Sequence, residues 1–275
     1  MKTHYRLWIA SILMISFLFL LTSCSQTTQT HSKAKESELT IGVTAGPHQQ
    51  IMEQIAKLAL KDHLKINIKV FEDYSQPNAA LNSGDLDASS YETLPFLNAQ
   101  VKEKGYKLVN VFKTVALPLG VYSNKIKNLK QLKNGDSIAI SNDPSTEPRS
   151  LTLQQKAGVI KMRPGTERTG STRDIISNPK NIQFVTMDPA QITSHLNDVT
   201  AAAINSNYAM GAHLTILKNA IFHESLTHNS YPNYFVVRTA DKNAPFVKQL
   251  ETYYHSKIIK DYIQTTFHGS VVPAW

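Results

Sequence analysis

The chain has 275 residues, 41% of them hydrophobic and 18% charged, with a formal net charge of +8. That length can bury a proper core, and that composition excludes a disordered chain. The basic residues are scattered, with no stripe of Lys and Arg interleaved with aromatics, which argues against nucleic-acid binding and for a solvated basic surface. Cys24 is the one cysteine, so no intrachain disulfide and no cysteine-based metal site can form.

Lys2 and Arg6 precede a nearly unbroken apolar run over residues 7–21, followed by Thr22, Ser23 and Cys24. The run is short for a membrane span, which needs roughly 20 residues. A charged start, an apolar middle and a small-residue end form an export signal over residues 1–23. Residues 21–24, LTSC, resemble the bacterial lipobox, in which the cysteine is lipidated and becomes the new N-terminus. A lipid on Cys24 would tether the rest of the chain to a membrane face. Residues 25–38 hold no apolar side chain larger than Ala34, and residues 24–38 read as a flexible tether.

Residues 39–43 (LTIGV) alternate as a strand. Gly46-Pro47-His48 opens a helix with Pro47 near its first position. Ile51, Met52, Ile55, Leu58 and Ala59 fall on one helical face, and Ile66, Ile68 and Val70 alternate as a second strand. Strand, helix and strand in this order make a βαβ unit with parallel pairing. The stretch 70–97 then turns at Gln76-Pro77-Asn78, runs a short helix that stops at Gly84, and presents Tyr74, Tyr91 and Phe96 around Ser89-Ser90. Such loops at strand ends are where α/β proteins place ligands, although aromatics at these positions also serve as ordinary core. His48 reads either as a site residue or as a satisfied structural histidine.

The apolar run 108–121 is broken by Pro118. A second set of α/β units follows, with strands expected at 138–140, 182–185 and 201–205 and a helix at 151–158 beginning around Ser150. Residues 234–238 (YFVVR) form a last strand, and helical patterns fill 244–267. Two α/β lobes joined by two crossings, near 115–122 and 230–236, fit this order.

Arg149, in the first turn of its helix, pairs a planar fork with a helix N-terminus, which suits an anion; a surface ion pair is the other reading. Asn205 and Asn233 sit at strand ends, where amides can meet an ammonium or a carboxylate. Two motifs fail on inspection. Residues 165–172 (GTERTGST) approximate a phosphate loop but carry Ser171 where lysine is required. His223-Glu224 with His228 approximates a zinc-protease helix, yet the second histidine is one position too far to share a metal. No nucleophile elbow is present, and nothing here specifies an enzyme, a metal or a cofactor.

These segments together resemble the NlpA lipoprotein family, the methionine-binding lipoproteins of bacterial ABC importers. The resemblance covers about residues 39–275 and rests on GVTAGPH (42–48), FEDYSQPN (71–78), Asp87-Ala88, LPFL (94–97), PLGVYS (118–123), Asn142-Asp143-Pro144 with Arg149-Ser150-Leu151, SNPKN (177–181), Ala203-Ile204-Asn205 with Tyr208-Ala209, and the closing residues 267–275. It implies an α/β, two-lobed fold of the type II periplasmic-binding-protein kind, with a ligand cleft between the lobes. Residues 39–119 plus 232–275 would form one lobe and residues 120–231 the other. By position, Arg149 would grip the carboxylate of methionine or a similar amino acid, Asn205 and Asn233 would orient its charged groups, and Tyr74, Tyr91 and Phe96 would wall the side chain. Thr93 stands where the family commonly has a histidine, and Glu147-Pro148 precedes the arginine where it commonly has glycine. The implied partners are the permease and ATPase subunits of an ABC importer, and the implied place is the extracytoplasmic side of a membrane in the cell envelope. A surface lipoprotein of the same fold with a short-peptide ligand, or with a protein partner and no ligand, is the alternative.

Overall fold

A computed structural model describes residues 37–275. The export signal, Cys24 and residues 25–36 lie outside the described residues. Strand β1 (Ser37–Thr44) leads through Gly46 into α1 (Pro47–Lys61) and back along β2 (Leu64–Phe71). Strands β1 and β2 pair in parallel over their full length, Ser37 opposite Leu64 and Thr44 opposite Phe71. Gly46 has φ 89°, a left-handed value that lets the chain leave the strand and enter the helix at Pro47. Gly42 is required for another reason: a Cβ there would lie 2.5 Å from the Leu86 side chain. Ile41, Val43, Ile51, Met52 and Ile55 are fully buried. Each such side chain contributes about 1.5–3 kcal/mol of transfer free energy, so this unit anchors the first core.

The chain continues through α2 (Gln76–Ser83), β3 (Ala88–Thr93), α3 (Leu94–Lys104), β4 (Leu108–Ala116) and β5 (Gly120–Tyr122). Next come β6 (Ser137–Ser141), α4 (Thr146–Lys156), β7 (Lys161–Met162), β8 (Ile175–Ser177), β9 (Gln183–Met187) and β10 (Ala201–Ile204). Helices α5 (Ser206–Gly211) and α6 (Ile216–Asn219) precede β11 (Ala220–His223) and β12 (Pro232–Arg238). Helices α7 (Pro245–Tyr254) and α8 (Lys257–Phe267) and strand β13 (Val272–Pro273) close the fold.

The strands form a six-stranded sheet in the order β13-β4-β12-β3-β1-β2 and a five-stranded sheet in the order β11-β5-β10-β6-β9, with a small β7-β8 pair. The first sheet therefore collects strands from both ends of the described chain, and the second collects residues 120–223. The chain passes between the sheets twice, at 117–119 and at 224–231. The structure is the two-lobed α/β fold expected. Phe112, Phe235 and Tyr254 interlock behind the first sheet, with Phe112 and Phe235 stacked at 4.8 Å. Ile138, Ile140, Leu151 and Ala203 lie at the centre of the second lobe's main core.

Two local expectations are corrected. Helix α4 starts at Thr146 rather than near Ser150. Pro148 does not interrupt it, because a helix's first-turn N–H groups have no intrahelical partner to lose. Ser89 and Ser90 do not border the aromatic cluster's cavity: both are fully buried, and the Ser90 hydroxyl is 2.6 Å from the Tyr254 hydroxyl in the core.

Candidate ligand-binding site

The carboxyl ends of β1, β2, β3, β6 and β10 converge on one cleft, as ligand sites in parallel α/β sheets do. About 500 Å³ of atom-free space lies there, its open mouth included. All seven residues singled out as ligand contacts, Tyr74, Tyr91, Thr93, Phe96, Arg149, Asn205 and Asn233, line it.

Tyr74, from the loop after β2, meets Tyr91 and Phe96 with ring centroids 6.0 Å away in each case. Tyr91 and Phe96 are 6.1 Å apart, edge to face, so three rings form a wall. The Tyr91 hydroxyl donates to the Tyr74 carbonyl at 3.1 Å. The Tyr74 hydroxyl donates to Asn207 Oδ1 at 2.5 Å, which joins a first-lobe residue to one from α5. Tyr208 adds a ring 5.0 Å from Tyr74 and donates its hydroxyl to the Glu72 carbonyl at 3.2 Å. Burial raises the hydroxyl pKa values of Tyr74, Tyr91 and Tyr208, so these groups act as neutral donors.

Opposite the rings stands Arg149, 6% exposed. Its Nε donates to Glu224 Oε1 at 2.8 Å and its Nη2 to Glu224 Oε2 at 2.6 Å. Nη2 also donates to the Leu117 carbonyl at 2.9 Å, and the guanidinium lies 4.4 Å from the Tyr231 ring centroid. Nη1 makes no hydrogen bond within the described residues. Burial presses the Arg149 pKa down, but the Glu224 carboxylate outweighs it and leaves the pKa raised. Burial likewise presses the Glu224 carboxyl up, and Arg149 outweighs it and holds it below the usual range. The pair is ionised. Glu147 carries no such role: its Oε1 accepts from the Thr172 N–H at 3.0 Å, away from the cleft lining.

Asn233 is oriented by its neighbours. Its Nδ2 lies 2.8 Å from His48 Nε2 and donates to the Tyr91 carbonyl at 2.6 Å. His48 Nδ1 lies 2.8 Å from the Thr44 hydroxyl, and burial drops the His48 pKa to about 4. The neutral ring therefore accepts at Nε2 and donates at Nδ1, and Asn233 is left with Oδ1 as its acceptor. Asn205 Oδ1 is buried without a partner. The cation of Arg149 and the amides of Asn205 and Asn233 thus share the cleft with three rings and the Asp143 carboxylate. This set matches the carboxylate, ammonium and apolar side chain of an amino-acid zwitterion.

The sequence does not mark Glu92, Leu117, Ser145, Thr146 and Ser206, which also line the cleft, nor the supporting roles of His48 and Glu224. His48, open between site and structure, proves to be the partner that fixes Asn233. Glu224 stands out in the sequence only within a failed zinc motif, because its partner Arg149 is 75 positions away. No group of three or more His, Cys, Asp or Glu among the described residues could hold a metal ion.

A two-lobed α/β fold with a polar and aromatic cleft between its sheets defines a solute-binding protein. A family model for NlpA lipoprotein matches residues 39–275, and the chain belongs to that family. It is 38% identical over 242 residues to the D-methionine-binding lipoprotein MetQ of Salmonella typhi, covering 87% of this chain and 89% of that one. It is 35% identical over 260 residues to outer membrane lipoprotein 3 of Mannheimia haemolytica, covering 94% and 95%. A nutrient-binding protein from Burkholderia cenocepacia, solved bound to methionine, superposes with a TM-score of 0.83 at 43% identity, covering 86% of this chain and 100% of that one.

Proposed function

We propose that this chain is a lipid-anchored solute-binding protein that captures methionine, or a closely similar amino acid, and delivers it unchanged to an ABC importer. One observation carries the reading: Arg149, Asn205 and Asn233 converge on the same cleft as Tyr74, Tyr91 and Phe96. Arg149 Nη1 takes the carboxylate, the amide oxygens take the ammonium, and the rings take the thioether, a soft group that favours aromatic contact. Thr93, with its small side chain, lines the cleft beside Tyr91. Relatives named for methionine binding support the ligand, and their lipoprotein names support an anchor at Cys24. The anchor places the protein on the extracytoplasmic side of a membrane, where the permease and ATPase subunits of the importer are its partners. Among the described residues no helix is long and apolar enough to cross a membrane.

A methionine-containing dipeptide is the second reading. It draws on a neighbouring hollow that shares Tyr74, Phe96 and Asp143 with the cleft. The test is calorimetry on protein unfolded and refolded to strip carried-over ligand, with L- and D-methionine, the other amino acids and methionine dipeptides. Tightest binding to a methionine stereoisomer is expected. Tightest binding to a dipeptide selects the second reading, and heat from none of them rejects both.

A further inference from the structure

The Arg149–Glu224 pair does more than neutralise a buried charge. Glu224 follows β11 directly and begins the second passage between the sheets. Its Oε2 accepts from the Leu119 N–H of the first passage at 2.9 Å. The same oxygen accepts from Asn229 Nδ2 of the second passage at 3.0 Å. Its own N–H donates to the Leu119 carbonyl at 3.0 Å, and Arg149 Nη2 reaches the Leu117 carbonyl of the first passage. One carboxylate therefore ties together both connecting segments and the cation of the cleft. The side chains are 7% and 10% exposed, so the pair is desolvated and its geometry is fixed by charge-assisted bonds.

We propose that Glu224 is the positioning residue of the ligand site: it holds Arg149 from the two connecting segments so that only Nη1 faces the ligand carboxylate. This rests on the reading of Arg149 given above. Two of the three guanidinium nitrogens are spent on the protein, so the ligand meets a guanidinium whose orientation is set before it arrives. Pre-set geometry lowers the cost of binding, because less freedom is lost at that moment. The same arrangement places the ligand's carboxylate one side chain from the two segments that connect the sheets. Glu224 touches no ligand in this account and acts through Arg149.

Methionine affinity and thermal midpoint would be measured for the full chain and for E224Q, R149M and R149M/E224Q. The glutamine side chain of E224Q can accept one bond but offers Arg149 an N–H donor where it needs an acceptor. E224Q is expected to weaken methionine binding about 10- to 100-fold, the range seen when partners behind metal ligands are removed. R149M/E224Q is expected to bind no more weakly than R149M, because both changes act through one cation. A lowered midpoint with unchanged affinity in E224Q overturns the proposal, as do losses that multiply in the double variant. If E224Q does not fold, the comparison of R149M/E224Q with R149M decides alone, since the double variant carries neither buried charge. A ligand-independent readout separates this proposal from the functional one. The Arg149 Nε–H, held on Glu224, gives an exchange-protected guanidinium side-chain resonance in the wild type that E224Q should lose. Its persistence in E224Q overturns the positioning role, whereas its loss in a protein that binds no amino acid retains that role and rejects only the assigned ligand.

Discussion

Replacing Glu92 by glutamine is expected to stabilise this protein at neutral pH, by an amount set by proton linkage. Glu92 sits on β3 at 3% exposure, and its Oε2 accepts from Asn78 Nδ2 at 2.8 Å. Its Oε1 and the Asn78 Oδ1 are both buried and unpartnered. No ion pair reaches Glu92 among the described residues, so burial alone raises its pKa from 4.5 to about 8. A carboxyl that keeps its proton here faces an amide that presents one donor and one acceptor, the complement of a neutral acid. In the unfolded chain the group ionises above its ordinary value near 4.5, so the unfolded state gains as pH rises. The contribution of Glu92 to stability is therefore intact below 4.5 and is lost progressively up to its folded value of about 8. At about 1.4 kcal/mol per pH unit, the loss at pH 7 is about 3 kcal/mol. A glutamine side chain at this position is isosteric, does not titrate, and can donate to Asn78 Oδ1 while accepting from Nδ2. Urea unfolding of the wild type and E92Q at pH 4.5, 6, 7 and 8 reads the effect. The variant should match the wild type near pH 4.5 and exceed it by about 3 kcal/mol at pH 7, or roughly 6–12 °C in thermal midpoint for a chain of this size. A difference that does not change with pH, or a less stable variant at pH 7, would refute the protonated Glu92.

Three other outcomes test the cleft. R149M removes the charge-assisted contact proposed for the ligand carboxylate and should weaken methionine binding about 10- to 100-fold by calorimetry. It also leaves Glu224 buried without its cation, and should cost about 3–5 kcal/mol in urea unfolding, most of it recovered in R149M/E224Q. His48 is neutral when folded down to about pH 4, whereas the unfolded residue protonates near 6.5. Stability should thus fall as pH drops through that window, by up to about 3 kcal/mol, and an NMR titration should show the His48 ring unprotonated at pH 5. Tyr74→Phe keeps the ring and removes the hydrogen bond to Asn207; losing about 0.5–1.5 kcal/mol from the closed cleft should weaken methionine binding roughly 2- to 10-fold. Unchanged affinity would show that this bond does not favour closure.

Local order carries most of the fold. The period of two in β1 and β2, the helical face of α1 and Pro47 at its start are signals contained within thirty residues, and the parallel pairing follows from them. The aromatic wall is legible for the same reason, since Tyr74, Tyr91 and Phe96 flank one turn-rich stretch. What cannot be read is what depends on pairing between distant segments. Glu224 acquires its meaning only when β11 and α4 meet, and Asn78 finds Glu92 only once α2 lies against β3. The packing of β3 decides the serines: Ser89 and Ser90 look like hydroxyls for a ligand, yet both are enclosed within the lobe. Helix α4 is expected too late because residues 142–148 are polar and turn-forming, and its start is set by the Thr146 and Glu147 N–H groups bonding to the Asp143 carbonyl.

Strand β12 has a consequence for how this molecule is made. It lies between β3 and β4, so the central position of the first sheet is filled by residues 232–238. A chain emerging from its N-terminus can assemble the second sheet as soon as residue 223 has appeared. The first sheet must wait, with β3 and β4 each holding an open edge, until β12 arrives. The first lobe is therefore the last to close. Exposed edges are sites for wrong pairing. Loss of the last stretch of chain would leave the second lobe's sheet complete and the first with a missing middle strand.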